Sequence, residues 1–150
     1  MKNIIWISII LFLTQCGYTA LYKNNSSQNI KIISLGMSGD DHMNNLIKNE
    51  LKNYFDTDSN NEYNLKIDTS YQKKVNTKDA TGKPLEFRLE LDTNVNINFD
   101  GENIEASFNE SFNITNSSDT FELRRYENTI KRNFAKITKD KIILKLISLK

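Results

Sequence analysis

The stretch LEFRLELDTNVNINFDGENIEASFNESFNIT, residues 85–115, decides the fold. Leu85, Phe87, Leu89, Leu91, Thr93, Val95, Ile97 and Phe99 fall on every second position. The positions between them are polar: Glu86, Arg88, Glu90, Asp92, Asn94, Asn96 and Asn98. A period of two with one apolar and one polar side is a strand buried on a single face. Asp100-Gly101 supplies the residues a two-residue hairpin turn requires. Beyond it Ile104, Ala106, Phe108, Phe112 and Ile114 alternate again. A two-residue turn makes Phe99 face Glu102, and hence Ile97 face Ile104, Val95 face Ala106 and Leu89 face Phe112. Leu91 opposite Glu110 is the exception, expected to mark a bulge or a buried polar contact. A slip of one residue would set every apolar side chain against a polar one.

Working backwards, Lys73 to Pro84 reads as a loop with a Thr81-Gly82 turn. Before it Tyr63, Leu65, Ile67, Thr69 and Tyr71 alternate with polar residues. Asp56 to Glu62 is a polar break. Met43, Leu46, Ile47, Leu51, Tyr54 and Phe55 recur at three- and four-residue steps, an amphipathic helix with N-cap chemistry in Ser38 to Asp41. Ile30, Ile32, Ile33 and Leu35 predict a short strand ending at Gly36. Working forwards, Ser117-Ser118-Asp119 opens a longer helix with the stripe Tyr126, Ile130, Phe134, Ile137, Ile142, Leu146 and Leu149. One-sided strands need a cover, which two amphipathic helices provide. The expected class is α+β: a two-layer sandwich in the order β-α-β-β-β-α. It has a mostly antiparallel four-stranded sheet, both helices on one face and a wet outer face.

The N-terminus carries an address. Lys2 precedes an apolar run from Ile4 to Leu13, shorter than the ~20 residues a spanning helix needs but suited to a signal peptide. Leu13-Thr14-Gln15-Cys16-Gly17 follows and resembles a lipobox, whose Cys becomes the lipid-bearing first residue of the mature chain. Gln15 departs from the small residue usual before that Cys. An ordinary secretory signal with a chance cysteine is the competing reading. Cys16 is the only cysteine, so it cannot form an internal disulfide, whereas acylation gives it a role. Residues 1–15 are thus expected to be a lipoprotein signal peptide, 16–28 a lipidated linker and 29–150 the folded domain. Gly17 after the Cys, in place of Asp, points to the outer membrane.

Composition excludes several classes. Hydrophobic residues are 38% and charged residues 26%, ordinary for a globular chain. Lys2 is the only charge before Cys16, so of 20 Lys and Arg the mature chain keeps 19, against 19 Asp and Glu. Nucleic-acid binders need a basic excess that is missing here. His42 is the only histidine, by the first turn of the first helix, and reads as solvated or capping. No catalytic set, no metal site and no cofactor is expected, apart from N-acyl and S-diacylglycerol lipid on Cys16. Gly36-Met37-Ser38-Gly39 lacks the Lys and spacing of a phosphate loop.

Cys16-Gly17-Tyr18-Thr19-Ala20-Leu21-Tyr22 resembles the Cys-Gly-Phe/Tyr-x-Pro-Leu-Tyr opening of LPS-assembly lipoproteins of the LptE family, alphaproteobacterial type, with Ala20 in place of the usual Pro. The order of elements is also that family's. The resemblance implies a non-enzymatic lipoprotein, anchored in the outer membrane and facing the periplasm. Such a protein plugs and helps assemble the LptD β-barrel, and assists lipopolysaccharide insertion into the outer leaflet while binding it. The rival is another periplasm-facing envelope-assembly or secretion-system lipoprotein subunit without lipopolysaccharide binding. Two cation groups are candidate sites. Lys73, Lys74, Lys78, Lys83 and Arg88 could meet lipid A phosphates through charge-assisted hydrogen bonds. Arg124 and Arg125 oppose the dipole of the second helix near its start, a cost that partner contact would offset. A merely solvated role is the alternative for both groups.

Overall fold

The structure, a computed structural model, describes residues 30–149. The expected signal peptide (1–15), the expected linker (16–28) and Cys16, the expected lipidation site, lie outside the described residues. The elements run β1 (Lys31–Gly39), α1 (Asp41–Leu51), β2 (Glu62–Lys78), β3 (Pro84–Phe99), β4 (Glu102–Thr115) and α2 (Thr120–Ile147), with a 3-10 turn Lys52–Tyr54 after α1. The sheet order is β1-β2-β3-β4. The β1–β2 pair is parallel and bridged by α1, and the other two pairs are antiparallel. This is the expected two-layer α+β sandwich, mostly antiparallel.

The β3–β4 register is the one the alternation dictates: Ile97 faces Ile104, Val95 faces Ala106, Leu89 faces Phe112 and Leu91 faces Glu110. Asp100 and Gly101 have φ of 49° and 83°, the two consecutive positive values of a type I′ turn. No bulge accompanies Glu110. Its carboxylate instead accepts a hydrogen bond from Lys141 of α2.

Three expectations are corrected. The stretch from Lys73 to Pro84 is not a loop: β2 continues to Lys78, β3 begins at Pro84, and only residues 79–83 turn. Val75 there is exposed, so the one-sided pattern that marks a strand fades although the ladder persists. The first strand does not stop at Gly36 but reaches Gly39. A register shift between Ile32 and Ser34 turns Ile33 outward and keeps Ile32 and Leu35 inward, which explains four apolar residues in a broken alternation. In α2, Tyr126 and Ile137 are exposed, whereas Ala135, Thr138 and Ile143 are buried with Ile130, Phe134, Ile142 and Leu146. The helix lies against α1 as well as the sheet, so its buried stripe is wider than one line.

The core joins Ile30 and Ile32 of the first strand region to Met43, Ile47 and Leu51 of α1 and the inward residues of β2, β3 and α2. Tyr63 is fully buried; its hydroxyl donates to the Leu146 carbonyl at 3.0 Å and its ring stacks on Phe99 with centroids 4.6 Å apart. Where β1 meets α1, Asp40 caps the helix by accepting from the Met43 N–H at 2.8 Å. Thr69 ties the corner together. Its hydroxyl donates to Asn44 Oδ1 at 2.8 Å and accepts from the Asp40 N–H at 3.1 Å, while Asn44 Nδ2 donates to the Ser38 carbonyl at 3.0 Å.

Two other buried hydroxyls, Thr93 Oγ1 and Thr138 Oγ1, have no partner among the described residues. An unpaired buried hydroxyl costs about 1–3 kcal/mol, and valine has the same shape without it. Thr93→Val and Thr138→Val are expected to raise stability by roughly 1 kcal/mol each, read as a higher urea midpoint at unchanged slope. A loss of stability would show that these hydroxyls are satisfied.

Candidate ligand and partner surfaces

The sequence groups Lys73, Lys74, Lys78, Lys83 and Arg88 together, but the pleat divides them. Lys73 stands on the helix-covered side of β2, in line with Tyr71. Its ammonium pairs with Glu127 of α2 at 2.8 Å and lies 4.6 Å above the Phe87 ring. Lys74 points to the wet face beside Arg88, its partner across the ladder. Both contact Glu90, Lys74 at 2.6 Å and Arg88 at 2.8 Å. Arg88 also donates to the Ser111 hydroxyl at 3.2 Å. The Lys74 hydrogen bond is the main cause holding the Glu90 carboxyl below its ordinary value. Lys78 ends β2 and Lys83 lies in the turn after it, where Asp79 Oδ1 accepts the Thr81 and Lys83 N–H groups at 2.8 and 2.9 Å. Among the described residues the ammonium groups of Lys78 and Lys83 make no ion pair. They are the members of the group left available to an anion.

Glu127 is a hub that sequence reasoning missed. It accepts from the Tyr71 hydroxyl at 2.9 Å and pairs with Lys131 at 3.2 Å in addition to Lys73. Lys131 lies 4.2 Å above the Tyr71 ring. Burial alone would raise the Glu127 pKa, but the bonds from Lys73, Tyr71 and Lys131 outweigh it and hold the carboxyl below its ordinary value. Burial first, and then the bond to Glu127, push the Tyr71 hydroxyl far upward. A depressed carboxyl stabilises the fold above its unfolded pKa, near 4.5, and loses that contribution as pH falls through the lower folded value. Glu127→Gln is therefore expected to cost on the order of 1 kcal/mol at neutral pH and less at pH 3. Denaturant titrations of both chains at the two pH values check this; an equal loss at both would remove the ionic account.

Arg124 and Arg125 sit in the second turn of α2. Arg124 donates from Nε to the Thr120 carbonyl at 3.3 Å, and Arg125 lines a shallow surface hollow with Glu122, Tyr126 and Thr129. His42 is exposed on α1, and Asp40 rather than His42 caps the helix. Among the described residues no group of three or more His, Cys, Asp or Glu could hold a metal, and no helix is long and apolar enough to cross a membrane.

The sheet face away from the helices is a lattice of short polar side chains. Ser34 donates to Asn64 and Ser38 to Asp68, both at 2.6 Å, while Ser107 donates to Asn94 and Asn109 to Asp92, both at 2.7 Å. Gly36 adds no side chain beside Lys66, which opens a hollow of about 470 Å³ bounded by Asp68, Asn96 and Glu105. This face is rich in hydrogen-bonding side chains, so it suits an aqueous or polar surrounding.

No protein-family model matches the chain, and no curated protein sequence matches it. Solved structures do. The chain is similar to the rare lipoprotein B from Shewanella oneidensis, with a TM-score of 0.59 and 14% identity over 77% of this chain and 95% of the other. It is similar to lipoprotein B from Nitrosomonas europaea, with a TM-score of 0.56 and 10% identity over 83% and 88%. A minor lipoprotein from Acinetobacter baumannii matches with a TM-score of 0.50 and 15% identity over 75% and 93%. At these identities the shared property is the fold.

Proposed function

We propose that the chain is an outer-membrane lipoprotein of LptE type. In this reading it is held by acyl chains on Cys16, faces the periplasm, plugs and helps assemble an LptD-like β-barrel, and binds lipopolysaccharide without catalysis on its way to the outer leaflet. The observation that carries the reading is the coincidence of two independent features. The N-terminal run ends in Leu13-Thr14-Gln15-Cys16-Gly17, and the domain behind it has the fold of solved lipoproteins. The hydrogen-bonded Asn and Ser lattice of the outer sheet face supports it, because a domain inside a barrel lumen must tolerate water on most sides. Lys78 and Lys83, unpaired at one end of the sheet, are the cations best placed for lipid A phosphates.

Mild detergent extraction of the full chain from its native host tests the partnership: a large β-barrel should co-purify with it, and lipopolysaccharide with both. Recovery of a different envelope complex without a barrel would establish the rival reading. For the ligand, Lys78→Glu combined with Lys83→Glu is expected to weaken lipopolysaccharide binding about five- to tenfold at low salt, the scale of two exposed charge contacts. Unchanged affinity would remove that end of the sheet as the phosphate contact.

A further inference from the structure

Among the described residues the strand β4 is an edge of the sheet, and its ladder shows which groups are open. In a two-residue hairpin the flanking pair, here Phe99 and Glu102, exchange main-chain hydrogen bonds, and bonded and non-bonded pairs alternate from there. The even-numbered residues of β4 therefore bond to β3. The odd-numbered residues from Asn103 to Thr115 turn their N–H and C=O groups to the free side. Over 14 residues β4 shows no register shift and contains no Lys, Arg or Pro; of its three glutamates the inward-pointing one, Glu110, is neutralised by Lys141. The opposite edge, β1, has nine residues and is bulged.

A second observation lies directly above that edge. Lys141 of α2 reaches Glu110, and Tyr126 packs edge-on against Phe112 with centroids 6.4 Å apart. These contacts identify the helix flank that overlooks β4. Ile137 and Leu144, four residues before and three after Lys141, share that flank. They are 41% and 48% exposed, Tyr126 is 47% exposed and Phe112 42%. Among the described residues, then, the free edge of β4 and an apolar helix flank face the same side.

The geometry points to a second copy of this chain as the occupant: two β4 strands pair antiparallel into one continuous eight-stranded sheet, with the two α2 helices flank to flank. The strand is complementary to itself. Centred on Phe108, the pairing spans residues 102–114 and sets Ile104 opposite Phe112 of the second copy. Glu105 falls opposite Ser111, and Asn103 opposite Asn113. No carboxylate faces another, and Glu110, already held by Lys141, meets Ala106. Odd residues face odd residues, so the outward N–H and C=O groups of each copy find each other. The twofold axis also makes the α2 helices antiparallel, which brings Ile137 and Leu144 of each copy into one apolar seam. This association depends on neither the lipid nor the barrel, so its failure leaves the proposed function intact.

Sedimentation of the full chain in density-matched detergent tests it. The wild type should run as a dimer at micromolar concentration. Asn109→Pro removes one outward N–H and spares the β3 ladder; Ile137→Lys with Leu144→Lys charges the seam without touching the strand. Each variant should weaken dimerisation at least tenfold while keeping the wild-type circular dichroism spectrum. A monomeric wild type at 100-fold higher concentration, or a dimer indifferent to both changes, would overturn the inference.

Discussion

Gly39→Ala is expected to destabilise the domain by about 3 kcal/mol or more, enough to unfold a marginal small protein. Gly39 has φ of +91°, a conformation that L side chains avoid, and an added Cβ would lie 1.8 Å from the Thr69 carbonyl oxygen. The backbone cannot yield without breaking the Asp40 N–H bond to that oxygen (3.0 Å) and moving the Asp40 cap away from α1. Gly82 is the control. Its φ is +84°, yet nothing lies within 4 Å of where its Cβ would be. Gly82→Ala should cost only the conformational part, about 1 kcal/mol. Urea midpoints of the two variants separate the contributions, and equal losses would refute the steric account.

Cys16→Ser is expected to move the protein from the membrane to the soluble fraction, lowering its membrane-to-soluble ratio about a hundredfold or more. Each buried methylene contributes ~0.8 kcal/mol; a single acyl chain binds reversibly, but several together anchor almost permanently. Fractionation of cells carrying either chain, with the mass of the mature N-terminus, measures it. A wild-type cysteine found bare would remove the anchor.

The β3–β4 hairpin was legible residue by residue because two signals agree there: strict alternation, and a dipeptide that accepts two positive φ values in succession. The tip of β2–β3 was hidden because Val75 and Leu85 lie exposed, so burial no longer imprints a period on the residues. That error carried over into the candidate site. Once 73–78 is taken as a strand, Lys73 and Lys74 must point to opposite faces, and a single five-cation cluster cannot exist. The Glu127 hub was out of reach for a different reason. Its partners Tyr71 and Lys73 are 56 and 54 residues away, and nothing local in either segment announces the other. Glu110 was recognisable as an anomaly, but its partner Lys141 required the helix to be placed first.

The parallel pairing of β1 with β2 has a consequence for the order of assembly. The chain turns back on itself within two residues between β3 and β4 and within five between β2 and β3, so those ladders close quickly. Lys31 must wait for Glu62, 31 positions downstream, and for the crossover helix between them. The earliest strand to be synthesised is the last to be seated. Its ladder-bonded amides should accordingly exchange with deuterium before those of the other two ladders, which places the sheet's weakest seam next to the stretch leading to the proposed lipid anchor.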